Sequence, residues 1–143
     1  MKTKKSQCAL VNVLDIIGDK WSLVIIRDLF LRKKTFTDFM KSPEKIASNI
    51  LSSRLDRMNK CELLESVKLP KDQKSKIYYL TDKGVDMFPV IFEMMSWSQR
   101  NLELEFGSKS VKILKDAEKT TSTQFIPKFQ SSYIKFRDNF LAV

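Results

Sequence analysis

The chain has 143 residues, 43% of them hydrophobic, and a formal net charge of +9 from 26 Lys+Arg against 17 Asp+Glu. That is enough apolar material for one compact domain plus an appendage, and the positive balance suits a polyanionic partner without naming it. Histidine is absent, which removes the commonest general base, the commonest metal ligand and every Ser–His or Cys–His pair, while Gly18, Gly84 and Gly107 are too scattered to cradle a phosphate.

No catalytic residue, metal or cofactor is therefore expected, although a Ser–Lys or paired-carboxylate site is not removed by these absences. Two cysteines, Cys8 and Cys61, do not make a disulfide framework, so a reducing cytoplasm is the default location. No apolar run is long enough to cross a bilayer. The basic start, Met1 to Ser6, does not read as a signal peptide, because the apolar stretch behind it is interrupted by Asn12 and Asp15.

The first predicted element is a helix over residues 8–17, with Leu10, Val13, Leu14 and Ile17 on one face and Gly18 as its stop. A second helix, Trp21 to Leu31, is apolar on nearly every side and should be the buried centre of a small bundle. Thr35 followed by Asp38 reads as a capping box opening a short helix with Phe36, Phe39 and Met40 on its apolar side, ending near Ser42-Pro43.

The next helix, Ala47 to Lys60, buries Ile50, Leu51, Leu55 and Met58. Its other side carries Ser48, Asn49, Ser52, Ser53, Asp56 and Arg57, with Arg54 at the edge. Small hydroxyls, an amide and arginines can approach base edges closely in a major groove. The same face is equally at home as an ordinary solvated surface. Arg57 also has an alternative place, against the core.

Two short strands follow, 63–69 and 76–80, separated by the polar loop Pro70 to Ser75. This is the layout of a wing, whose Lys68, Lys71, Lys74 and Lys76 suit phosphates. Thr81 then caps a long helix predicted to run to about Leu104, bent at Pro89. It carries two apolar stripes. Phe88, Ile91, Met95 and Leu102 form one; Val90, Met94, Trp97 and Leu104 form the other. A terminal helix rarely buries two faces in its own domain, so the second stripe, with Leu10 and Val13 of the first helix, is expected in a two-fold homodimer interface.

Charge is not spread evenly. Residues 32–60 hold eight Lys+Arg and three Asp+Glu, whereas residues 82–106 hold two against five. From Gly107 on the chain reads as an appendage, giving a domain over 1–106 and a helical extension over 107–143. After a polar linker at 119–124, Phe125, Phe129, Tyr133, Phe136 and Phe140 recur at helical spacing, in a helix starting near Pro127. That aromatic face is expected to pack on the dimer helices, with a groove for an unidentified small-molecule effector as the alternative.

The ordered set of these pieces resembles the HxlR-type winged helix-turn-helix regulators, within the MarR-like winged helix superfamily. It comprises Cys8; Leu14-Asp15 with Ile17-Gly-Asp-Lys-Trp21; Phe36-Thr-Asp-Phe39; Ile46-Ala-Ser-Asn-Ile-Leu-Ser-Ser-Arg-Leu55; and Tyr78-Tyr-Leu-Thr-Asp-Lys-Gly84 with Trp97. The resemblance covers about residues 8–104. It implies a mainly α fold with a small β-wing (α+β), and a dimeric regulator binding paired half-sites in double-stranded promoter DNA. Ser48, Asn49, Ser52, Ser53 and Arg54 would then face bases or nearby phosphates, with the wing lysines on the backbone; Arg57 joins the candidate DNA-binding residues from its place on the same helix.

Cys8 stands where many members carry a cysteine, in some of them a sensor of oxidants or electrophiles. Beside Lys2, Lys4 and Lys5 it can react as a thiolate, or simply pack as a small apolar residue. The chain departs from the family in three places. Cys61-Glu62 replaces the usual glycine after the recognition helix, so a left-handed turn there carries strain. Lysines replace the usual proline–arginine pair of the wing, and the aromatic C-terminal helix is an addition. The alternative reading is a winged-helix module for protein contact with only non-specific DNA binding.

Overall fold

Gly18 shows how tightly the first turn of the chain is built. In the computed structural model, which describes residues 5–142, helix α1 (Ala9–Ile17) ends where the Gly18 N–H donates to the Leu14 carbonyl at 2.7 Å. A Cβ on Gly18 would lie 2.3 Å from that oxygen, so no side chain fits. Helix α2 (Lys20–Phe30) begins one residue later on Asp19, whose carboxylate accepts from the Trp21 and Ser22 amides. As its composition suggests, α2 is largely buried, but two of its buried residues are polar, Ser22 and Asp28.

Helix α3 (Phe36–Met40) opens on the expected capping box: the Asp38 amide donates to Thr35 Oγ1, and the Thr35 amide to the Asp38 carboxylate, both at 3.1 Å. Partial burial opposes ionisation of Asp38, but bonds from the Lys34 and Thr35 amides outweigh it and hold its pKa below the ordinary value. Helix α4 (Ser48–Lys60) buries Leu51, Leu55 and Met58.

Helices α2 and α4 end alike. After α2, the Arg32 amide donates to Leu29 and that of Lys33 to Asp28; after α4, the Glu62 amide donates to Asn59 and that of Leu63 to Met58. These are paired Schellman closures, which require a left-handed residue. Arg32 (φ 74°) and Glu62 (φ 62°) occupy those positions although glycine is the usual occupant. The strain expected at Cys61-Glu62 is thus present, at about 1–2 kcal/mol for a residue with a Cβ.

Strands β1 (Leu64–Leu69) and β2 (Asp72–Leu80) pair antiparallel. The expected polar loop is shorter than the sequence suggested, because Asp72 to Ser75 continue the strand and only Pro70 and Lys71 turn. Regular register runs from Leu64 opposite Leu80 to Val67 opposite Ile77, then slips before Leu69 meets Asp72. The inner half is anchored twice over: the Tyr78 amide donates to the Lys34 carbonyl at 2.7 Å, and the Tyr78 ring meets Phe39 edge-on.

The chain forms two compact units, Met1–Thr81 and Asp82–Val143. In the second, the predicted single helix is two. Helix α5 (Asp82–Val85) stops, and α6 (Phe88–Asn101) starts afresh with Pro89 in its first turn. Proline has no N–H for the Val85 carbonyl and its ring crowds that position, so a break is easier than the expected bend. Helix α6 also ends three residues before Leu104. Helix α7 (Ser108–Glu118) precedes α8 (Ser122–Leu141), which begins five residues ahead of Pro127 because Thr121 caps it through the Gln124 amide. Phe129 of α8 stacks on Phe88 of α6 with ring centres 4.0 Å apart, and Phe125 lies 5.4 Å from Phe92, so the aromatic face packs on α6.

Candidate nucleic-acid interface

The outer face of α4 is built from the residues its periodicity singled out. Ser48, Asn49, Ser52, Ser53 and Asp56 are all exposed, while Leu51, Leu55 and Met58 hold the opposite face in the core. Lys41 and Lys45 lie exposed just ahead of the helix. On the wing, Lys68, Lys71, Lys74 and Lys76 are exposed, and the Lys74 amide donates to the Asp72 carboxylate within the hairpin tip. A helix with a small polar face beside a lysine-rich ribbon is a surface of the kind that fits a major groove and its flanking phosphates.

The family model for the HxlR-like helix-turn-helix matches residues 16–106, which span α2, α3, α4, both strands and α6. The chain belongs to the HxlR-like helix-turn-helix family. Such proteins are transcriptional regulators, and the mostly helical fold with a two-stranded wing agrees with that membership. The chain is 28% identical over 92 residues to the HTH-type transcriptional regulator YodB of Bacillus subtilis, covering 64% of this chain and 82% of that one. The solved reduced form of YodB superposes with a TM-score of 0.58 at 26% identity, covering 68% of this chain and 97% of the other. The solved structure of PA1607, described as a candidate transcription factor, gives a TM-score of 0.66 at 32% identity, covering 73% and 72%.

Within this HxlR-like frame the arginines of α4 are not simply displayed. Arg57 Nη2 donates to the carbonyls of Asp15 and Ile16, both at 2.7 Å, and so caps the C-terminal end of α1; this is the alternative placement inward, against the scaffold. Arg54 Nε donates to Asp19 at 2.9 Å, and its Nη1 lies 3.5 Å from Ser53 Oγ. Asp19 also accepts from the Ser22 hydroxyl at 2.6 Å. Partial burial resists its charge, but the bonds from Ser22 and Arg54 prevail and lower its pKa to about 2.

A second cluster, missed at the sequence level, braces the turn between α3 and α4. Asp28, 2% exposed, accepts a hydrogen bond from the buried Ser42 hydroxyl and faces Arg27 at 2.8 Å and Lys33 at 3.6 Å. Arg27 also grips Glu44 with two bonds, which lowers the Glu44 pKa to about 2 despite partial burial. Thus the net charge of residues 32–60 overstates what faces solvent, since Lys33, Arg54 and Arg57 all have partners in the scaffold. The available signal for Asp28 was the one carboxylate in a mostly apolar helix, next to Arg27.

The six residues assigned to a subunit interface are all exposed: Leu10 and Val13 on α1, Val90, Met94 and Trp97 on α6, and Leu104 beyond it. Cys8 is exposed at the N-cap of α1 and makes no side-chain capping bond. Of its basic neighbours, Lys2 and Lys4 lie outside the described residues, and Lys5 is exposed. Among the described residues no group of His, Cys, Asp and Glu is arranged to hold a metal, and no helix is long and apolar enough to cross a membrane.

Proposed function

We propose that this regulator binds promoter DNA as a homodimer in the cytoplasm, each α4 entering one of two successive major grooves ~34 Å apart. The observation that supports it most directly is the exposed Ser48, Asn49, Ser52 and Ser53 face, with Arg54 at its edge and Lys71, Lys74 and Lys76 on the adjoining wing. Asn49 suits an adenine edge, the hydroxyls suit either base type, and the lysines supply sequence-independent affinity. Arg57 acts from behind the helix, holding α1.

The dimer is supported by where exposed apolar side chains concentrate. Apart from Met40, every exposed large hydrophobic among the described residues falls between Leu10 and Leu14 or between Val90 and Leu104. Residues 1–106 would form the DNA-binding and dimer-forming part, and 107–143 an extension whose aromatic face supports α6. Cys8 is the candidate signal input: an exposed thiol that a peroxide can oxidise to a sulfenic acid, with water or an alcohol released. The relative YodB has been solved in a form described as reduced, which is in keeping with a redox input here.

The test is selection from a promoter library at fixed salt, with and without a mild thiol oxidant. A discrete two-fold symmetric site supports the dimeric regulator, and loss of that binding on oxidation, absent in Cys8→Ser, supports the sensor. A discrete site indifferent to oxidant keeps the regulator and removes the sensor. Weak, sequence-independent binding alone would overturn the promoter reading in favour of a protein-contact module.

A further inference from the structure

Asp19 performs two tasks with one carboxylate. Its Oδ2 caps α2 by accepting from the Trp21 and Ser22 amides at 3.0 Å and also receives Arg54 Nε at 2.9 Å, while its Oδ1 accepts from the Ser22 hydroxyl at 2.6 Å. Bonds to the first turn of α2 leave this carboxylate little freedom, so whatever it grips is held too. It grips Arg54 by the side of the guanidinium rather than by the tip. The Nη1 and Nη2 end therefore keeps donors for another partner, and Nη1 already lies beside Ser53 Oγ on the exposed face. The ion pair is partly exposed, 26% for Arg54 and 21% for Asp19, a setting in which a salt bridge adds little to stability.

We propose that Asp19 is a positioning residue for DNA recognition: it fixes Arg54 so that the two-nitrogen end of the guanidinium meets a paired acceptor edge of the DNA. This rests on the promoter-binding reading above. A free arginine loses considerable rotamer freedom when it docks; one fastened at Nε has lost most of it already, and its planar fork is aimed. The cost is a negative charge close to the phosphates, which lowers attraction for DNA in general. The pair should therefore improve the bound site relative to random sequence rather than raise affinity everywhere.

Asp19→Asn separates these effects, because asparagine caps a helix as well as aspartate but carries no charge. Binding of full-length protein is measured by fluorescence anisotropy at fixed salt, on the selected promoter site and on random duplex. Asp19→Asn is expected to weaken the selected site about 3–10-fold while random duplex binds as well or more tightly, and Arg54→Ala to weaken the selected site by roughly 10–100-fold. In the R54A background, Asp19→Asn should add no further loss. Replacing guanines of the site one at a time then locates the fork: loss of the Asp19 effect at one guanine means it reads a base edge, and no such position means it holds a phosphate.

Unchanged or tighter binding of Asp19→Asn to the selected site would overturn the proposal, as would an equal loss in the R54A background. Asp19→Ser, which also caps, replaces asparagine if that variant melts early. A wild-type protein that selects no site removes the regulator reading itself and this proposal with it, an outcome distinct from selection that is insensitive to Asp19.

Discussion

Helices α1 and α2 are neighbours in sequence and similar in length, yet they are held in opposite ways. Helix α2 is buried along most of its length and braced by polar pairs, Asp28 with Ser42, Arg27 and Lys33, and Asp19 with Arg54. Helix α1 buries only Ile17 and leaves Leu10, Val11, Val13 and Leu14 in solvent, attached through Gly18 and the Arg57 cap. The difference separates what the chain completes by itself from what it leaves for a second surface. Around α2 the fold is closed, with charges matched inside. Along α1 it is open, and the apolar side chains are matched by nothing among the described residues of the same unit.

Four substitutions sharpen or break this contrast. The largest effect is expected at Asp28: Asp28→Ala takes the buried partner from Lys33 and from the Ser42 hydroxyl, Arg27 keeping Glu44, and should cost about 3–5 kcal/mol in urea unfolding. A loss under 1 kcal/mol would mean that the cluster does not brace α2. Next is Gly18→Ala, which forces a Cβ into the Leu14 carbonyl; about 1–3 kcal/mol is expected from the shift this demands. Glu62→Gly should go the other way, raising stability by up to about 1 kcal/mol as the left-handed strain is relieved against the extra freedom of glycine when unfolded. A denaturation midpoint that falls instead would show that the Glu62 side chain contributes more than its strain costs.

The smallest effect on the fold is expected at Leu10→Ser, within about 0.5 kcal/mol for a 65%-exposed side chain. Its consequence should appear elsewhere. If a second copy covers α1, the wild-type unfolding midpoint rises with protein concentration and that of Leu10→Ser does not. A midpoint independent of concentration in the wild type would remove the subunit interface from the open side of the comparison.

Local signals were the legible ones. The Thr35–Asp38 capping box, the Gly18 stop, the three-and-four spacing of α4 and the strand pair after it could be read from residues a few positions apart. Reading failed where the deciding partner was distant or the local pattern had two solutions. Arg54 looks like a free cation on a polar face, and for Arg57 the local pattern left a place against the core open beside the outward one; their partners lie 35 and 41–42 residues earlier, at the α1–α2 junction. Pro89 permitted either a bent helix or a new one, and the second won. Asp72 to Ser75 are polar enough for a loop, yet they extend β2, since a hairpin tip in solvent needs no apolar alternation. The charge count was correct as arithmetic but silent about pairing.

The wing offers a last consequence. Its inner half is regular and fastened to Lys34 and Phe39, but beyond Val67 a single residue of β1, Lys68, stands against four of β2, Gln73 to Lys76. An isolated two-stranded ribbon is marginal in water, so amides beyond the slip should exchange with solvent far faster than those of Leu64 to Val67. The wing is then a stiff root carrying a pliant tip, and its lysines can follow a backbone whose groove widens or narrows along the sequence without disturbing the helix that α2 holds in place.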